Sequence, residues 1–421
     1  MKIITGVLVG GGVLGLSVLP WNGPLAPHVE WPIAARAAPV KLPVTPADWH
    51  GKIDYLALDA RIRAMMADKS MEGLAAAVVE DGRLSFVQGY GLASSETGES
   101  VNEHTAFRWA SLSKSVAGTL TARLAADHVL SLSDPLGKYH TSLRLPGDAQ
   151  RTLTLEQLLS QRTGLSKNAY DDRLEIGQDP KVIRQSFATL SNVCPPRTCH
   201  SYQNVAYDTI SEVIGTATGK RYGEVANERL FRPLGMTGAS VGMDGLLTSK
   251  SWARPHRNGR TLPMLDYYYR VPAAAGVNSS IVDLARWMQA QMGLERDVLP
   301  AKVLLDVQQS RVNTQRPYGN SPFGRELKNP GYGLGMRSFT YKGHRLIGHS
   351  GAVSGYRSTM MFDPATGTGI VMLWNSESSI PWRLQPEFFD RAYDLPFTDW
   401  LGLKAGLTPP PKDNSIANPA G

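Results

Sequence analysis

The order of apolar and polar positions along the chain predicts strands near both ends. At the N-terminal side, a helix at about 56–66 precedes a hairpin, in which two apolar segments flank the turn dipeptide Asp81-Gly82. These segments are Leu74–Val79 and Leu84–Tyr90. At the C-terminal side, the pattern predicts four strands: Tyr332–Phe339, His344–Gly348, Tyr356–Phe362 and Gly369–Trp374.

Between these parts, apolar residues recur at helical spacing. Val116, Leu120 and Leu124 recur every four residues in a helix predicted from Ser111 to about Leu130. Further helices are predicted at Leu155–Ser160, Val205–Thr218, Ala226–Phe231 and Ile281–Met292. We therefore expect an α/β (α+β) fold, with a mainly antiparallel sheet built from both ends of the chain and flanked by helices. A mostly helical region at about 115–270 would be inserted between the sheet-forming parts.

The beginning of the chain is typical of an export signal. Lys2 precedes the apolar stretch Ile3–Leu19, which Pro20 ends, and Ala35–Ala37 offers a cleavage site. A signal peptide is one interpretation, and an uncleaved membrane anchor is the alternative. Either interpretation predicts an exported, periplasmic protein, free or anchored to the inner membrane.

The chain divides into four predicted parts. Residues 1–37 form the signal peptide or anchor, and residues 38–54 form a linker rich in Pro and Ala. A single large domain is predicted at 55–405, and its length is sufficient for a substantial core. The segment 406–421 is rich in Pro, Asn and Ser and is predicted to be disordered.

The composition is that of a globular protein with a basic balance. The 421 residues carry 44 Lys and Arg against 37 Asp and Glu, which gives a formal net charge of +7. The basic residues are scattered and no nucleic-acid-binding motif is present, so we expect no nucleic-acid partner. Cys194 and Cys199 are too few for a four-cysteine zinc site. In an exported protein they predict a disulfide, with two free buried thiols as the alternative.

The strongest chemical signal is Ser111-Leu-Ser-Lys114 at the start of a predicted helix. Residues three apart share one face of a helix, with about 5–6 Å between their Cβ atoms. The lysine amine can therefore reach the serine hydroxyl, which needs a base beside it to act as a nucleophile. Taken alone the spacing is common, and a helix that merely carries Ser and Lys is the alternative.

Two later motifs make a catalytic interpretation more specific. In Tyr202-Gln-Asn204, a loop tyrosine near a lysine can pass protons, and the asparagine amide can hold a substrate carbonyl. A buried tyrosine with a helix-capping asparagine is the alternative. In His349-Ser-Gly351, expected at the end of a strand, the glycine would let the backbone approach a ligand closely.

In this order, the three motifs resemble those of the penicillin-recognising serine hydrolases, a group related to class C β-lactamases, DD-peptidases and some esterases. The resemblance covers about residues 55–400. It extends to segments outside the motifs: Phe107–Ser111, Leu153–Leu165, Pro233–Met236, Ala275–Gly276, Asp283–Ala285 and Tyr332–Gly335. It implies a β-lactamase/transpeptidase-like fold and an acyl-enzyme route on amide or ester bonds, without a cofactor.

Carried over by position, the resemblance assigns the reacting groups. Ser111 would be acylated and Lys114 would take its proton. Tyr202 would relay a proton to the leaving group and then activate water. Gln203 stands where the family usually has a small residue, which leaves the shape of the pocket open.

The resemblance also assigns binding roles. Asn204 would bind the carbonyl side of the substrate, and the N–H groups of Ser111 and Ala352 would form the oxyanion hole. His349, beside Gly351, stands where β-lactamases of this class carry Lys, and a neutral imidazole supplies less positive charge for a substrate carboxylate. We therefore expect small peptides, including peptides with D-residues, or esters as substrates ahead of β-lactams.

Other interpretations compete with this one. Ser350, within Gly-His-Ser-Gly-Ala, resembles the nucleophile elbow of α/β-hydrolases, but no helix is predicted after it and no histidine follows His349. A receptor without activity on the same fold is a second alternative. A metal site is not expected, because His344 and His349 would face opposite sides of a strand. The run Tyr267–Tyr269 is interpreted as packing, with a substrate groove as the alternative.

Overall fold

The computed structural model describes residues 51–403. The predicted leader at 1–37, most of the linker at 38–54 and the tail at 406–421 lie outside this part of the chain. The strands are β1 (Gly73–Glu80), β2 (Arg83–Gly91), β3 (Phe107–Arg108), β4 (Ser240–Val241), β5 (His256–Arg257), β6 (Arg260–Thr261), β7 (Val277–Ser279), β8 (Val312–Asn313), β9 (Lys328–Tyr332), β10 (Arg337–Tyr341), β11 (His344–Val353), β12 (Tyr356–Asp363) and β13 (Thr368–Trp374).

The α-helices are short in the middle of the chain and longer where they cover the sheet. They are α1 (Tyr55–Met66), α2 (Ser113–Ala126), α3 (Leu155–Leu159), α4 (Asp171–Glu175), α5 (Pro180–Ser186), α6 (Thr209–Thr218), α7 (Tyr222–Ala226), α8 (Met243–Leu247), α9 (Pro272–Ala275), α10 (Ile281–Gln291), α11 (Ala301–Gln308), α12 (Pro322–Glu326) and α13 (Leu384–Ala392). None of the helices within residues 51–403 combines the length and apolar character needed to cross a bilayer.

Eight strands form one antiparallel sheet in the order β2-β1-β13-β12-β11-β10-β9-β8. β1 lies between β2 and β13, so that Ala76 is opposite Gln88 on one side and Met372 on the other. The first strands of the chain are thus joined to the last one. This arrangement confirms the predicted fold, in which both ends of the chain build an antiparallel sheet. Two small sheets, β3-β7-β4 and β5-β6, lie outside it.

Helices cover both faces of the large sheet. Successive side chains of a strand point to opposite faces. Leu74 and Ala76 of β1 therefore join the apolar cluster that includes residues of α1 and α13. Ala75 and Ala77 join the second cluster, which includes residues of α2 and α10. Burial on both faces explains why β1 is apolar throughout rather than alternating.

Several predicted elements are confirmed, and one strand is wrong. The helix near 56–66 and the hairpin around Asp81-Gly82 are present. The predicted strand Tyr332–Phe339 is instead a hairpin of β9 and β10, with Arg337 opposite Tyr332. Gly335, between these two strands, has a φ of +78°, a conformation that only glycine adopts at no steric cost.

Three predicted helices have different bounds. The helix predicted from Ser111 to about Leu130 is α2, which runs from Ser113 to Ala126 after a 3-10 turn that contains Ser111. The helix predicted from Val205 begins at Thr209, because residues 205–208 form turns instead of a regular α-helix; the carboxylate of Asp208 does not cap α6 but accepts from the N–H of Ala273. In the helix predicted at Ala226–Phe231, only the first residue belongs to α7, and a π-helical turn follows. Around them, the region 115–270 contains most of the helices from α2 to α8 and the short strands β4, β5 and β6.

Candidate active site

Ser111 lies in a 3-10 turn that leads directly into α2. Ala110, the residue before it, has a φ of +49°, a costly conformation for a residue with a Cβ and one that clusters at functional sites. Two hydrogen bonds hold this turn against the sheets. Ser358 Oγ donates to the Trp109 carbonyl at 2.6 Å, and the Trp109 N–H donates to the Val277 carbonyl at 2.9 Å. The serine is thereby fixed at an edge where β11, β12 and α2 meet.

Lys114 is fully buried one helical turn after Ser111. Its Nζ donates to Asn204 Oδ1 at 2.6 Å, to the Ala274 carbonyl at 3.1 Å and to Ser111 Oγ at 3.4 Å. In the same helical turn, the Ala273 N–H donates to the Asp208 carboxylate at 2.8 Å. These three oxygens satisfy all three donor positions of the ammonium form; in the unprotonated amine, the lone pair can instead accept from the Ser111 hydroxyl.

Tyr202 and His349 complete the cluster around the serine. The Tyr202 ring centroid is 4.7 Å from Lys114 Nζ and 6.3 Å from the His349 ring. His349 is buried, with Nδ1 2.8 Å from the Ser350 carbonyl and Nε2 3.1 Å from the Tyr332 hydroxyl. Burial, and then the positive charges nearby, hold the pKa of His349 well below its usual range. The imidazole is therefore neutral: its Nδ1–H donates to the carbonyl and its Nε2 accepts from the tyrosine.

The motif His349-Ser-Gly351 lies within β11 and not at the end of a strand as predicted. A Cβ on Gly351 would lie 2.1 Å from the Trp109 carbonyl oxygen and 3.0 Å from the Ser111 nitrogen. Only glycine lets β11 pass this close to the serine turn. Ser350 sits in mid-strand and its Oγ is 3.1 Å from Thr359 Oγ, so it lacks the strand-turn-helix geometry of a nucleophile elbow.

Six of the seven predicted catalytic and binding residues line one cavity of about 510 Å³. They are Ser111, Tyr202, Asn204, His349, Gly351 and Ala352. Lys114, the seventh residue, does not line the cavity because it is fully buried, but its Nζ contacts Ser111 Oγ. By contrast, His344 turns away and stacks on Tyr393, with ring centroids 3.6 Å apart.

Arg337 is a cavity residue that the sequence patterns did not single out. Its guanidinium carbon lies 5.9 Å from the Tyr202 ring centroid and 5.4 Å from that of Tyr332. No carboxylate within residues 51–403 forms an ion pair with it. Arg337 was missed because the sequence predicted one continuous strand at Tyr332–Phe339, whereas this arginine is the first residue of a separate strand, β10.

Asp171 is the second missed residue of the cavity. Its Oδ2 accepts a 2.6 Å hydrogen bond from Asn204 Nδ2, so that one amide joins Asp171 to Lys114. Burial raises the pKa of Asp171 to about 6, although this hydrogen bond and the Lys114 charge oppose the shift. Nothing in the local sequence distinguishes this aspartate from its neighbour Asp172.

The predicted disulfide between Cys194 and Cys199 is confirmed, with the Cα atoms 6.4 Å apart. Its loop packs on the segment 161–168. The Val193 N–H donates to the Gly164 carbonyl at 2.8 Å, and beyond the loop the Ser201 N–H donates to the Gln161 carbonyl at 2.8 Å. The backbone just before Tyr202 is therefore tied down on both sides of the disulfide.

A large antiparallel sheet flanked by helices, with a serine-lysine pair at the start of α2, defines a β-lactamase/transpeptidase-like protein. The chain belongs to the Beta-lactamase family, whose model matches residues 58–388. Members of this family are generally serine hydrolases.

Curated relatives are distant. The chain is 26% identical over 336 residues to the unguisins hydrolase ungD of Aspergillus violaceofuscus, a match covering 72% of this chain and 58% of that protein. It is 23% identical over 326 residues to protein flp of Staphylococcus aureus, covering 76% of this chain and 63% of flp. The chain thus spans less than two thirds of the length of these relatives.

Solved structures share the fold. A penicillin-binding protein homologue from Pyrococcus abyssi, described as octameric, has a TM-score of 0.71 at 21% identity. SurE, solved with D-Leu, has a TM-score of 0.62 at 24% identity. Each match covers 82% of this chain and 78% of the other.

Proposed function

We propose that the protein hydrolyses amide bonds of short peptides through an acyl-enzyme on Ser111, with esters as a second substrate class. The observation that carries the proposal is the 3.4 Å contact between Ser111 Oγ and Lys114 Nζ at a cavity that Tyr202 also lines. A serine hydroxyl needs such a base to become nucleophilic.

The steps follow from these positions. In its unprotonated form, Lys114 accepts the Ser111 proton while Oγ forms a bond to the substrate carbonyl carbon. The N–H groups of Ser111 and Ala352 stabilise the negative charge on the carbonyl oxygen. Tyr202 delivers a proton to the leaving amine as its bond to carbon breaks, and then takes a proton from the water that hydrolyses the ester. When the ester bond to Ser111 breaks, Lys114 returns its proton to Ser111 Oγ, 3.4 Å away, so that serine, lysine and tyrosine all regain their starting forms.

The charges in the cavity favour a substrate that ends in a carboxylate. His349 is neutral and Lys114 is already held by three oxygens, so the positive charge open to a substrate comes from Arg337, which forms no ion pair within residues 51–403, and from Lys167, which lines the same cavity. A guanidinium binds a carboxylate through two parallel hydrogen bonds. Because Tyr202 protonates the leaving group, Arg337 would bind the carboxylate of the leaving amino acid.

Two similar proteins support parts of this proposal. The relative ungD is named as a hydrolase. SurE, which shares the fold, was solved with D-Leu, and this supports D-residues in the substrate. The expected order of preference is peptides, then esters, then β-lactams, because the lysine of class C β-lactamases is replaced by a neutral His349.

Export to the periplasm is part of the proposal. The apolar stretch Ile3–Leu19 is typical of a leader, and the disulfide between Cys194 and Cys199 is the kind of bond that persists in an oxidising compartment. N-terminal sequencing of the protein from periplasmic and membrane fractions would separate a cleaved signal from an anchor. Recovery of the whole protein from the cytoplasm would contradict export.

The chemistry is tested by covalent labelling of the purified protein with a fluorophosphonate probe. We expect labelling that is lost in Ser111→Ala and kept in Ser350→Ala. Absence of labelling in the unaltered protein would favour a silent receptor on the same fold. Turnover of D-Ala peptides, short-chain esters and a chromogenic cephalosporin then tests the order of preference. A kcat/KM for the cephalosporin above that of every peptide and ester would overturn that order.

A further inference from the structure

Asp171 has one carboxylate oxygen that no group in the described part of the chain uses. Oδ2 accepts from Asn204, whereas Oδ1 is buried and has no hydrogen-bond partner among residues 51–403. The side chain belongs to the wall of the cavity, and only 8% of the residue's surface is exposed. A buried carboxylate oxygen without a donor costs free energy, so the site is suited to a ligand that supplies one.

The surroundings of Asp171 favour a cation rather than a neutral donor. Glu175 and Asp172 add negative charge, and Lys114 is already bound to three oxygens. Tyr268 lines the same cavity, lies close enough to Asp171 for an electrostatic interaction, and donates its hydroxyl to Glu175 at 2.7 Å. A carboxylate beside an aromatic ring is a suitable environment for an ammonium group.

The position of Asp171 indicates which part of the substrate would carry that ammonium. Asn204, which is expected to bind the carbonyl side of the substrate's acyl part, donates a hydrogen bond to Asp171. Arg337 instead lies beside Tyr202, where the leaving group departs. The two opposite charges therefore fall on different sides of the scissile bond.

We propose that Asp171 binds a protonated amine on the acyl part of the substrate, so that the enzyme releases an amino-terminal residue. This inference rests on the proposed function, because it places the scissile carbonyl at Ser111. With Arg337 on the leaving side, the preferred substrates are small peptides with a free amino group and a free carboxylate.

The preference has an expected pH window. Burial raises the pKa of Asp171 to about 6, and peptide amines titrate at about 8. Lys114, Asp172, Glu175 and Tyr268 are the other titratable groups that act on this site. The free-amine preference is therefore largest between these two values and declines on both sides, since one partner loses its charge.

Matched substrates test the inference in the full-length protein. The measured quantity is the ratio of kcat/KM for D-alanyl-p-nitroanilide to that for its N-acetyl form, in the unaltered protein, in Asp171→Asn and in Asp244→Asn. We expect a ratio of about 10–100 in the unaltered protein and in Asp244→Asn, which removes an exposed carboxylate of α8 that does not line the cavity. Asp171→Asn should bring the ratio to about 1. If both substrates fall equally in Asp171→Asn, the carboxylate only positions Asn204 and the inference is wrong.

A binding measurement separates this inference from the catalytic proposal. Calorimetry on Ser111→Ala compares D-alanyl-D-alanine with N-acetyl-D-alanyl-D-alanine, without requiring turnover. Tighter binding of the free amine by about 10-fold or more, lost when Asp171→Asn is added, supports the ammonium site even if no substrate is hydrolysed. Equal binding of the two peptides overturns the ammonium site even if Ser111 is catalytically active.

Discussion

Lys114 Nζ and Asn204 Oδ1 are 2.6 Å apart. This contact fixes which way the Asn204 amide points, because its oxygen faces a cation while its nitrogen donates to the Asp171 carboxylate. In the flipped orientation, the amide nitrogen would face the Lys114 amine and the amide oxygen would face the Asp171 carboxylate, and both contacts would be unfavourable. The second amide hydrogen is left to reach the cavity, where it can donate to a substrate carbonyl. The asparagine is thus oriented before any substrate arrives.

Replacement of Lys114 by alanine should abolish acylation, because Ser111 loses its base. The measurement is the rate of fluorophosphonate labelling, with the far-ultraviolet spectrum as a check that the variant is folded. Lys302→Ala is the control, since this lysine pairs with Asp306 on an exposed helix. Labelling of a folded Lys114→Ala at near the normal rate would remove the lysine from the mechanism.

Tyr202→Phe should lower kcat by about 10²–10⁴-fold, because the phenol is assigned both proton transfers. The ring would remain, so its contacts with His349 and Lys114 should persist. Tyr267→Phe removes a hydroxyl from a tyrosine that does not line the cavity and should leave kcat unchanged. A fall of less than threefold in Tyr202→Phe would assign the proton relay to another group.

Arg337→Gln should selectively lower kcat/KM for substrates with a free C-terminal carboxylate. The ratio of kcat/KM for a peptide acid to that for its C-terminal amide should fall by about 10–100-fold, the worth of a charge-assisted hydrogen bond. Arg325→Gln changes an exposed arginine of α12 and serves as the control. An unchanged ratio in Arg337→Gln would show that the leaving group does not contact this guanidinium.

The parts of the site that could be predicted from the sequence are those that depend on residues close together in the chain. The spacing of Ser111 and Lys114 determines their contact, because both lie within one turn of the chain. The apolar run of β1 and the turn at Asp81-Gly82 are likewise local. The other predicted site residues, among them Tyr202, Asn204 and His349, were assigned through the family resemblance that the order of the three motifs indicates.

The parts of the site that could not be predicted from the sequence depend on contacts between segments that are far apart in the chain. Asp171 becomes notable only because Asn204, 33 positions later, donates to it inside the fold. Arg337 reaches the cavity because a turn at Gly335 splits the predicted strand and starts β10 at that residue. Neither the burial of a carboxylate nor the placement of a turn between two apolar segments is encoded by local periodicity.

Gly351→Ala should destabilise the protein and reduce labelling of Ser111. The added methyl group would lie 2.1 Å from the Trp109 carbonyl and 2.4 Å from Ser358 Oγ, and the backbone carbonyl has little freedom to move. Overpacking of this kind costs about 1–3 kcal/mol, measurable by denaturant unfolding. Gly215→Ala, inside α6 with no atom nearer than 3.8 Å, should be neutral or stabilising. Equal stability of the two variants would contradict the close approach of β11.

Opening the disulfide should lower both stability and activity. The bond joins residues with a sequence separation of 5, and closure of so short a loop contributes about 2 kcal/mol in the chain-entropy view. Because the backbone before Tyr202 is bonded to Gln161, loosening of the loop should also displace the phenol. We expect a reductant to lower Tm and kcat together in the unaltered protein. The double variant Cys194→Ser with Cys199→Ser should start at these lower values and not respond to reductant. Unchanged kcat after complete reduction, verified by thiol titration, would show that the loop does not position Tyr202.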